Sequence, residues 1–180
     1  MKTFQASSPN VEVNGETVYS IVDAMGVFRT KATEILNRNG INNPKPGDWY
    51  KQQDWLNAFQ EIATQLGAAT LYNIGQKIPD NAKFPPEIKE IHQALGIIDV
   101  AYKMNHRGGS IGEYKYEKTG EKSAKVVCTN PYPDDFDKGL ITAMARKFKP
   151  ATSTMINVSA DTNQPSRAKG ADSTVFLVNW

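Results

Sequence analysis

The stretch PPEIKEIHQALGIIDVAYKMNHRGGSIGEYKYEKTGEKSAKVVC, residues 85–128, contains the change of hydrophobic period that decides the fold. In its first part apolar residues recur every three or four positions, which predicts a helix from Pro86 to about Met104. Pro86 suits the first turn, where its missing N–H is not required. After Gly108-Gly109 the period becomes two, and Lys118-Thr119-Gly120-Glu121 supplies a turn, so we expect a β-hairpin.

The N-terminal half shows helical periodicity in three further segments. Apolar residues spaced by threes and fours predict helices from Gly15 to about Gly40, from Trp55 to Leu66 and from Ala68 to Ile78. Residues 1–14 are a polar lead-in segment, and residues 15–180 form a single domain of the ligand-binding type.

The C-terminal part continues with a helix and two strands. Asp134 and Asp135 both suit the cap of a helix that carries Phe136, and strands are expected over residues 152–160 and 172–180. The order is therefore strand, strand, helix, strand, strand. This order predicts an α+β fold, in which an N-terminal helical layer packs on a four-stranded antiparallel sheet.

Composition and charge exclude several classes of protein. Of the 180 residues, 39% are hydrophobic. The sequence contains no run of about 20 apolar residues, which a membrane span requires, so we expect no membrane insertion. The net charge of +2 gives no support for a nucleic-acid partner. The N-terminus lacks the apolar stretch of a secretory signal, and Cys128 is the one cysteine, so we expect a cytoplasmic protein.

Few residues of the sequence are candidates for catalysis or for metal binding. No nucleophile elbow, phosphate-binding loop or Cys-x-x-Cys pair occurs, so we expect neither an enzyme nor a metal site. His92 is interpreted as a half-exposed helix residue. His106 lies beside Arg107 where the predicted helix ends, and it either lines a pocket or complements the helix dipole.

Aromatic side chains concentrate in the helical half and around this junction. Aromatic residues with a few polar groups are typical of small-molecule pockets. The residues expected to bind a ligand are Trp55, Phe59, Tyr72, Tyr102, His106, Arg107 and Tyr114, with no catalytic residue among them.

Several segments resemble bacterial members of the 4-vinyl-reductase-type domain: Gly15–Gly40, Trp49-Tyr50, Leu71–Gly75, Phe84-Pro85-Pro86, Ala101–Arg107, Ile111–Tyr114 and Cys128–Pro133. The 4-vinyl-reductase-type domain shares a superfamily with the haem nitric-oxide/oxygen-binding (H-NOX) sensor domains and the Bet-type subunits of the TRAPP trafficking complex. The resemblance implies a helical layer over a four-stranded sheet that borders a hydrophobic pocket.

The departures from these relatives shape the expectations about cofactors. Positions that hold cysteines in related bacterial domains match Asp134, Ser166 and Thr174, which implies that any metal or redox cluster of the relatives is lost here. The Tyr-x-Ser-x-Arg motif that holds haem propionates is also missing, because Tyr114-Lys115-Tyr116 is followed by no arginine. We therefore expect no cofactor, with haem bound through His106 as the less favoured alternative.

The leading hypothesis is a non-enzymatic sensory domain that binds a small hydrophobic ligand and acts on a signalling partner or a second copy of itself. Two alternatives stay open. One is an assembly module for dimerisation or scaffolding, and the other is a haem-based gas sensor that uses His106.

Overall fold

Helices form most of the first two thirds of the molecule. The computed structural model describes the backbone of residues 1–180 and all side chains except those of residues 20, 21, 23, 24 and 81. Its helices are α1 (Gly15–Ala24), α2 (Arg29–Arg38), α3 (Gln52–Leu66), α4 (Ala68–Asn81), α5 (Ile91–Gly96), α6 (Ile98–Met104) and α7 (Asp134–Lys147), with short 3-10 turns at Gly26–Phe28 and Arg167–Lys169.

A small antiparallel sheet joins the N-terminal segment to the end of α6. It consists of β1 (Glu12–Asn14), β2 (Trp49–Lys51) and β3 (His106–Arg107), in the order β2-β1-β3. Val13 pairs with both Tyr50 and His106. Strands of this length contain too few residues for an alternating pattern, which is why the sequence does not predict them. The end of the lead-in segment thus holds His106 in place.

The predicted four-stranded antiparallel sheet is confirmed. Its strands are β4 (Glu113–Gly120), β5 (Ser123–Thr129), β6 (Asn157–Ala160) and β7 (Thr174–Asn179), in the order β4-β5-β7-β6. Alternate residues of β5 and β7 are buried on the face that meets the helices: Ala124, Val126, Cys128, Thr174, Phe176 and Val178. The fold is therefore α+β, as expected.

The backbones of α4 and α7 are in close contact because each helix has a glycine at the crossing. A Cβ atom on Gly75 would lie 2.1 Å from the carbonyl oxygen of Phe136, and one on Gly139 would lie 2.1 Å from that of Tyr72. Only glycine permits such an approach of two backbones. This crossing fixes one wall of the cavity described below.

Two predicted helices are each divided in the structure. The helix expected over residues 15–40 breaks at Gly26, whose φ of 50° ends α1. The helix expected from Pro86 begins only at Ile91, because Ile88 donates a turn hydrogen bond to the Pro85 carbonyl and Glu90 is extended, and it is divided at Ile97 into α5 and α6. In the part of the chain with described side chains, no helix is long and apolar enough to cross a membrane.

Candidate functional site: an apolar cavity with one buried histidine

A cavity of about 100 Å³ lies between α4, α6 and α7. Its walls are largely apolar, and they include Ile78, Phe84, Ile97, Ile98, Ala101, Phe136, Leu140 and Met144. Polar atoms are concentrated at one end, where the lining residues are Tyr102, Asn105, His106, Tyr114 and Tyr132. Among the described lining residues, none carries a full charge when His106 is neutral, so the cavity suits an uncharged or largely apolar molecule.

His106 is held in a defined tautomer at the polar end. Its Nδ1 lies 2.8 Å from the carbonyl oxygen of Tyr102, and this oxygen can only accept, so Nδ1 carries the proton. The lone pair of Nε2 accepts a hydrogen bond from the Tyr132 hydroxyl at 2.7 Å. Burial lowers the pKa of His106 to about 4, so the imidazole is neutral at pH 7.

Tyrosine rings surround this imidazole. The ring centroid of Tyr102 lies 4.3 Å from that of His106, and the centroid of Tyr132 lies 5.7 Å away. The Tyr102 hydroxyl donates to the Ile111 carbonyl at 2.5 Å. Burial raises the pKa of both tyrosines, so their hydroxyls stay protonated and act as donors.

Two side chains of α3 lie behind Tyr132 with unpaired polar atoms. Gln52 is fully buried, and neither its amide nitrogen nor its amide oxygen has a hydrogen-bond partner among the described residues. The indole nitrogen of Trp55 is unpaired in the same way. The N–H groups of both side chains lower the pKa of Tyr132 by hydrogen bonding toward its hydroxyl oxygen, against the larger effect of burial, although neither reaches the geometry of a complete hydrogen bond.

Tyr114, at the polar end of the cavity, belongs to a buried and paired ionic network. Tyr114 donates to Asp137 Oδ1 at 2.5 Å, and Arg167 Nη2 lies 2.5 Å from Asp137 Oδ2. Asn130 also donates to Asp137, at 3.1 Å. Burial raises the pKa of Asp137, and the charge of Arg167 and these hydrogen bonds oppose that effect. Arg167 and Asp137 have fully buried side chains, so this pair ties the loop before β7 to the start of α7.

The positions that match cysteines in related domains meet at this network. Thr174 donates to Asp134 at 2.8 Å, Arg167 Nη2 lies 2.7 Å from the same carboxylate, and Ser166 precedes the 3-10 turn that carries Arg167. Within the described side chains, no group of three or more His, Cys, Asp or Glu residues could hold a metal ion. That these positions replace a metal site of the relatives stays a prediction.

The structure brings together only some of the residues expected to bind a ligand. Tyr102, His106 and Tyr114 line the cavity. Trp55 and Phe59 are core residues, with Phe59 packed against Tyr132. Two others lie apart from the cavity: Tyr72 pairs with Gln76, and Arg107 lies on the surface, paired with Glu12 and stacked over Trp49.

Sequence reasoning misses the α4 and α7 walls and the role of Tyr132. The periodicity of both helices predicts that their apolar residues are buried in the hydrophobic core, not that they line a cavity. Tyr132 belongs to a proline-rich segment that indicates only a turn. One signal could have pointed to the site. Gln52 is a polar residue that begins α3 and is fully buried, and a buried amide needs partners that the apolar stripe of that helix cannot supply.

The observed architecture is a layer of helices packed on a four-stranded antiparallel sheet, with a cavity between α4, α6 and α7. No family model and no curated protein matches the chain, so the resemblance to the 4-vinyl-reductase-type domain stays a prediction. Solved structures do match. An H-NOX protein from S. oneidensis in the Fe(II)NO ligation state is 16% identical, with a TM-score of 0.70 over 92% of this chain and 98% of that one.

Two further structures give the same result. A mutant of T. tengcongensis H-NOX is 13% identical, with a TM-score of 0.67 over 92% of this chain and 96% of that one. A structure described as probing the function of heme distortion in the H-NOX family is 14% identical, with a TM-score of 0.69 over 93% and 94%. At these identities the similarity establishes the fold.

These comparisons contradict the expectation that the domain takes no cofactor, because the similar structures are described by their heme or their iron ligation state. His106 has the chemistry that a haem iron requires of a ligand. It is neutral, its Nε2 has a lone pair, and its Nδ1–H is oriented by a carbonyl, as is usual for metal-bound histidine. The nitrogen donor of His106 fits a haem iron and the apolar walls match a porphyrin in polarity, but the cavity of about 100 Å³ does not hold haem with its walls in their present positions.

Proposed function

We propose that this chain is a ligand-binding sensor domain that takes haem as its cofactor, with His106 as the iron ligand. The observation that carries the proposal is the state of His106, a neutral buried imidazole that lines an apolar cavity and whose Nε2 has a lone pair, which now accepts from Tyr132. When bound, haem supplies an iron that takes a small gaseous ligand. The H-NOX-like fold supports this assignment.

The surrounding residues have separate roles. The carbonyl of Tyr102 holds the His106 ring in the tautomer that leaves Nε2 free of a proton. The apolar walls from α4, α6 and α7 make hydration of the cavity unfavourable. Lys147 donates to the carbonyl of the lining residue Pro79 at 2.9 Å and lies 5.4 Å from the ring centroid of the lining residue Phe84, so it is the cation that would pair with a carboxylate of a bound group on that side.

The volume of the cavity limits what can bind without movement of its walls. At about 100 Å³ it is smaller than the cavity of roughly 150 Å³ that admits benzene in an engineered protein, so haem enters only when the walls separate. The volume also favours a second candidate function, in which a small apolar molecule binds directly between α6 and α7. Ile97, Ile98 and Ala101 form the apolar α6 wall that such a molecule would contact.

Adding hemin to haem-free protein distinguishes the two functions. We expect a Soret band that is shifted from that of free hemin in the wild type and in the His92→Ala control, but not in His106→Ala; below, a Soret band means this shifted band. His92 is the matched control because it is the other histidine and does not line the cavity. If the wild type gives no Soret band, or if His106→Ala keeps it unchanged, the proposal of haem at His106 is wrong.

Thermal shift under xenon tests the second candidate. Xenon, which is smaller than benzene, is expected to raise the Tm of the wild type but not of Ala101→Phe, in which the new side chain fills the space beside α6. Equal shifts in both proteins contradict binding in this cavity.

We also propose that the domain is non-enzymatic and acts in the cytoplasm on a signalling partner. The alternative of an assembly module stays a prediction, and a concentration-independent monomer in sedimentation experiments would contradict it.

A further inference from the structure

We propose that the cavity takes a small alcohol, whose hydroxyl pairs with Thr17 and Asn105 while its alkyl part lies against the apolar walls. This inference deepens the second candidate function and rests on it, because it requires a small molecule that binds directly in the cavity. It adds a ligand class and two ligand-binding residues.

The buried polar groups of the cavity have no proton left to donate to a ligand. Each polar proton of His106 and of the three lining tyrosines already has an acceptor in the protein. The acceptors are the Tyr102 carbonyl for His106 Nδ1, His106 Nε2 for Tyr132, the Ile111 carbonyl for Tyr102 and Asp137 for Tyr114. The lone pair of His106 Nε2 is occupied as well, so these four side chains offer a ligand no donor.

Two half-buried lining residues, Thr17 and Asn105, differ from these groups. The Thr17 hydroxyl makes no hydrogen bond within the part of the chain that the structure describes, so it can both donate and accept. Asn105 Nδ2 donates to the Ala101 carbonyl at 2.8 Å, and because this carbonyl can only accept, the orientation of the amide is fixed. Asn105 Oδ1 is then an acceptor that no described side chain uses.

The start of α1 brings Thr17 and Asn105 to the same side of the cavity. The backbone N–H of Asn14 donates to the Asn105 carbonyl at 2.9 Å. Asn14 also caps α1, since its Oδ1 accepts from the backbone N–H of Glu16 at 2.7 Å. Thr17 follows Asn14 by three positions, so the two residues lie on one face of the helix. The free hydroxyl and the free amide oxygen therefore border the same part of the cavity.

An alcohol is the class of molecule that matches this pair. Its hydroxyl can donate to Asn105 Oδ1 and accept from Thr17, whereas a ketone can only accept and leaves Asn105 Oδ1 unpaired. The cavity of about 100 Å³ corresponds to roughly three or four non-hydrogen atoms, since a water molecule takes about 30 Å³ in the liquid. 2-Propanol has this size, and acetone is the ketone with the same carbon skeleton.

Titrations followed by 1H–15N NMR test the pairing. In the wild type we expect 2-propanol to bind about fivefold more tightly than acetone, because it makes one more hydrogen bond. Thr17→Val keeps the shape of the side chain but removes the hydroxyl, so its affinity for 2-propanol should fall by about the same factor, and Thr17→Ser should restore it. Thr70→Val is the matched control, because Thr70 is also half-buried on a helix but donates to the Leu66 carbonyl and does not line the cavity.

Xenon separates a failure of this pairing from a failure of the proposed function, because a xenon atom makes no hydrogen bond. It should raise the Tm of the wild type and of Thr17→Val equally. If it does so, but Thr17→Val binds 2-propanol as tightly as the wild type, the pairing is wrong and the second candidate function stands. Equal affinities of the wild type for 2-propanol and acetone would overturn the alcohol as the ligand class. If xenon leaves the Tm unchanged and 2-propanol shifts no resonance of the cavity residues, the second candidate function is wrong, and the alcohol site with it.

Discussion

Acid should destabilise this domain through His106, and the size of the effect follows from its burial. The pKa of His106 is lowered from 6.5 to about 4 in the folded state, because burial disfavours the charged imidazole. Between these two values the unfolded chain binds a proton that the folded chain does not. The free energy of unfolding therefore falls as the pH decreases from about 6.5 to about 4, by roughly 3 kcal/mol in total.

Urea unfolding followed by far-UV circular dichroism at several pH values between 4 and 7 measures this contribution. Other groups titrate in the same range, so the quantity to compare is the difference between the wild type and His106→Gln at each pH. That difference should shift by roughly 3 kcal/mol in favour of the wild type from pH 4 to pH 7. In His92→Gln, the control with the other histidine removed, the steep acid loss caused by His106 should persist.

One result would refute the reasoning about His106. If His106→Gln loses stability with falling pH as steeply as the wild type, the imidazole is not a buried neutral group. The hydrogen-bond assignment of its two nitrogens would then be wrong as well. The tautomer argument and the haem assignment both depend on that neutral state.

Three further predictions concern the walls of the cavity and the network beside it. Leu140→Ala should cost about 2–5 kcal/mol of unfolding free energy and enlarge the cavity, which urea unfolding and xenon binding can measure. Arg167→Met should cost about 3–5 kcal/mol of unfolding free energy because it leaves Asp137 buried without its cation. The double variant with Asp137→Asn should recover part of this loss, and equal losses in the single and the double variant would contradict the pairing. Gly139→Ala should cost about 1–3 kcal/mol because its Cβ meets the Tyr72 carbonyl, and an unchanged urea midpoint would contradict the close crossing of α4 and α7.

Much of the fold could be predicted from the sequence, because the apolar period of a long segment indicates both its secondary structure and which of its faces is buried. The hairpin of β4 and β5, the helix α7 and the closing strand β7 all follow from local pattern and turn chemistry. The breaks at Gly26 and before Ile91 escape prediction because the apolar period continues through them. Such breaks depend on how the flanking segments pack, which a local pattern does not contain.

The candidate site was predictable only in part, because its members come from distant parts of the chain. His106, Tyr102 and Tyr114 lie near one another in sequence, around the change of period, and the structure places all three at the cavity. Tyr132 and Gln52 are 80 positions apart, and no spacing rule connects them. Their relation depends on α3 packing behind the turn that precedes α7.

The two polar systems beside the cavity differ in a way that indicates where the molecule can change. Asp137 receives hydrogen bonds from Tyr114, Arg167 and Asn130, so any movement there breaks a satisfied network and is costly. Around Tyr132, by contrast, Gln52 and Trp55 keep unpaired atoms beside a hydroxyl with a single proton. Movement on the Tyr132 side therefore breaks fewer hydrogen bonds than movement on the Arg167 side, where the buried ion pair holds the loop before β7 against α7.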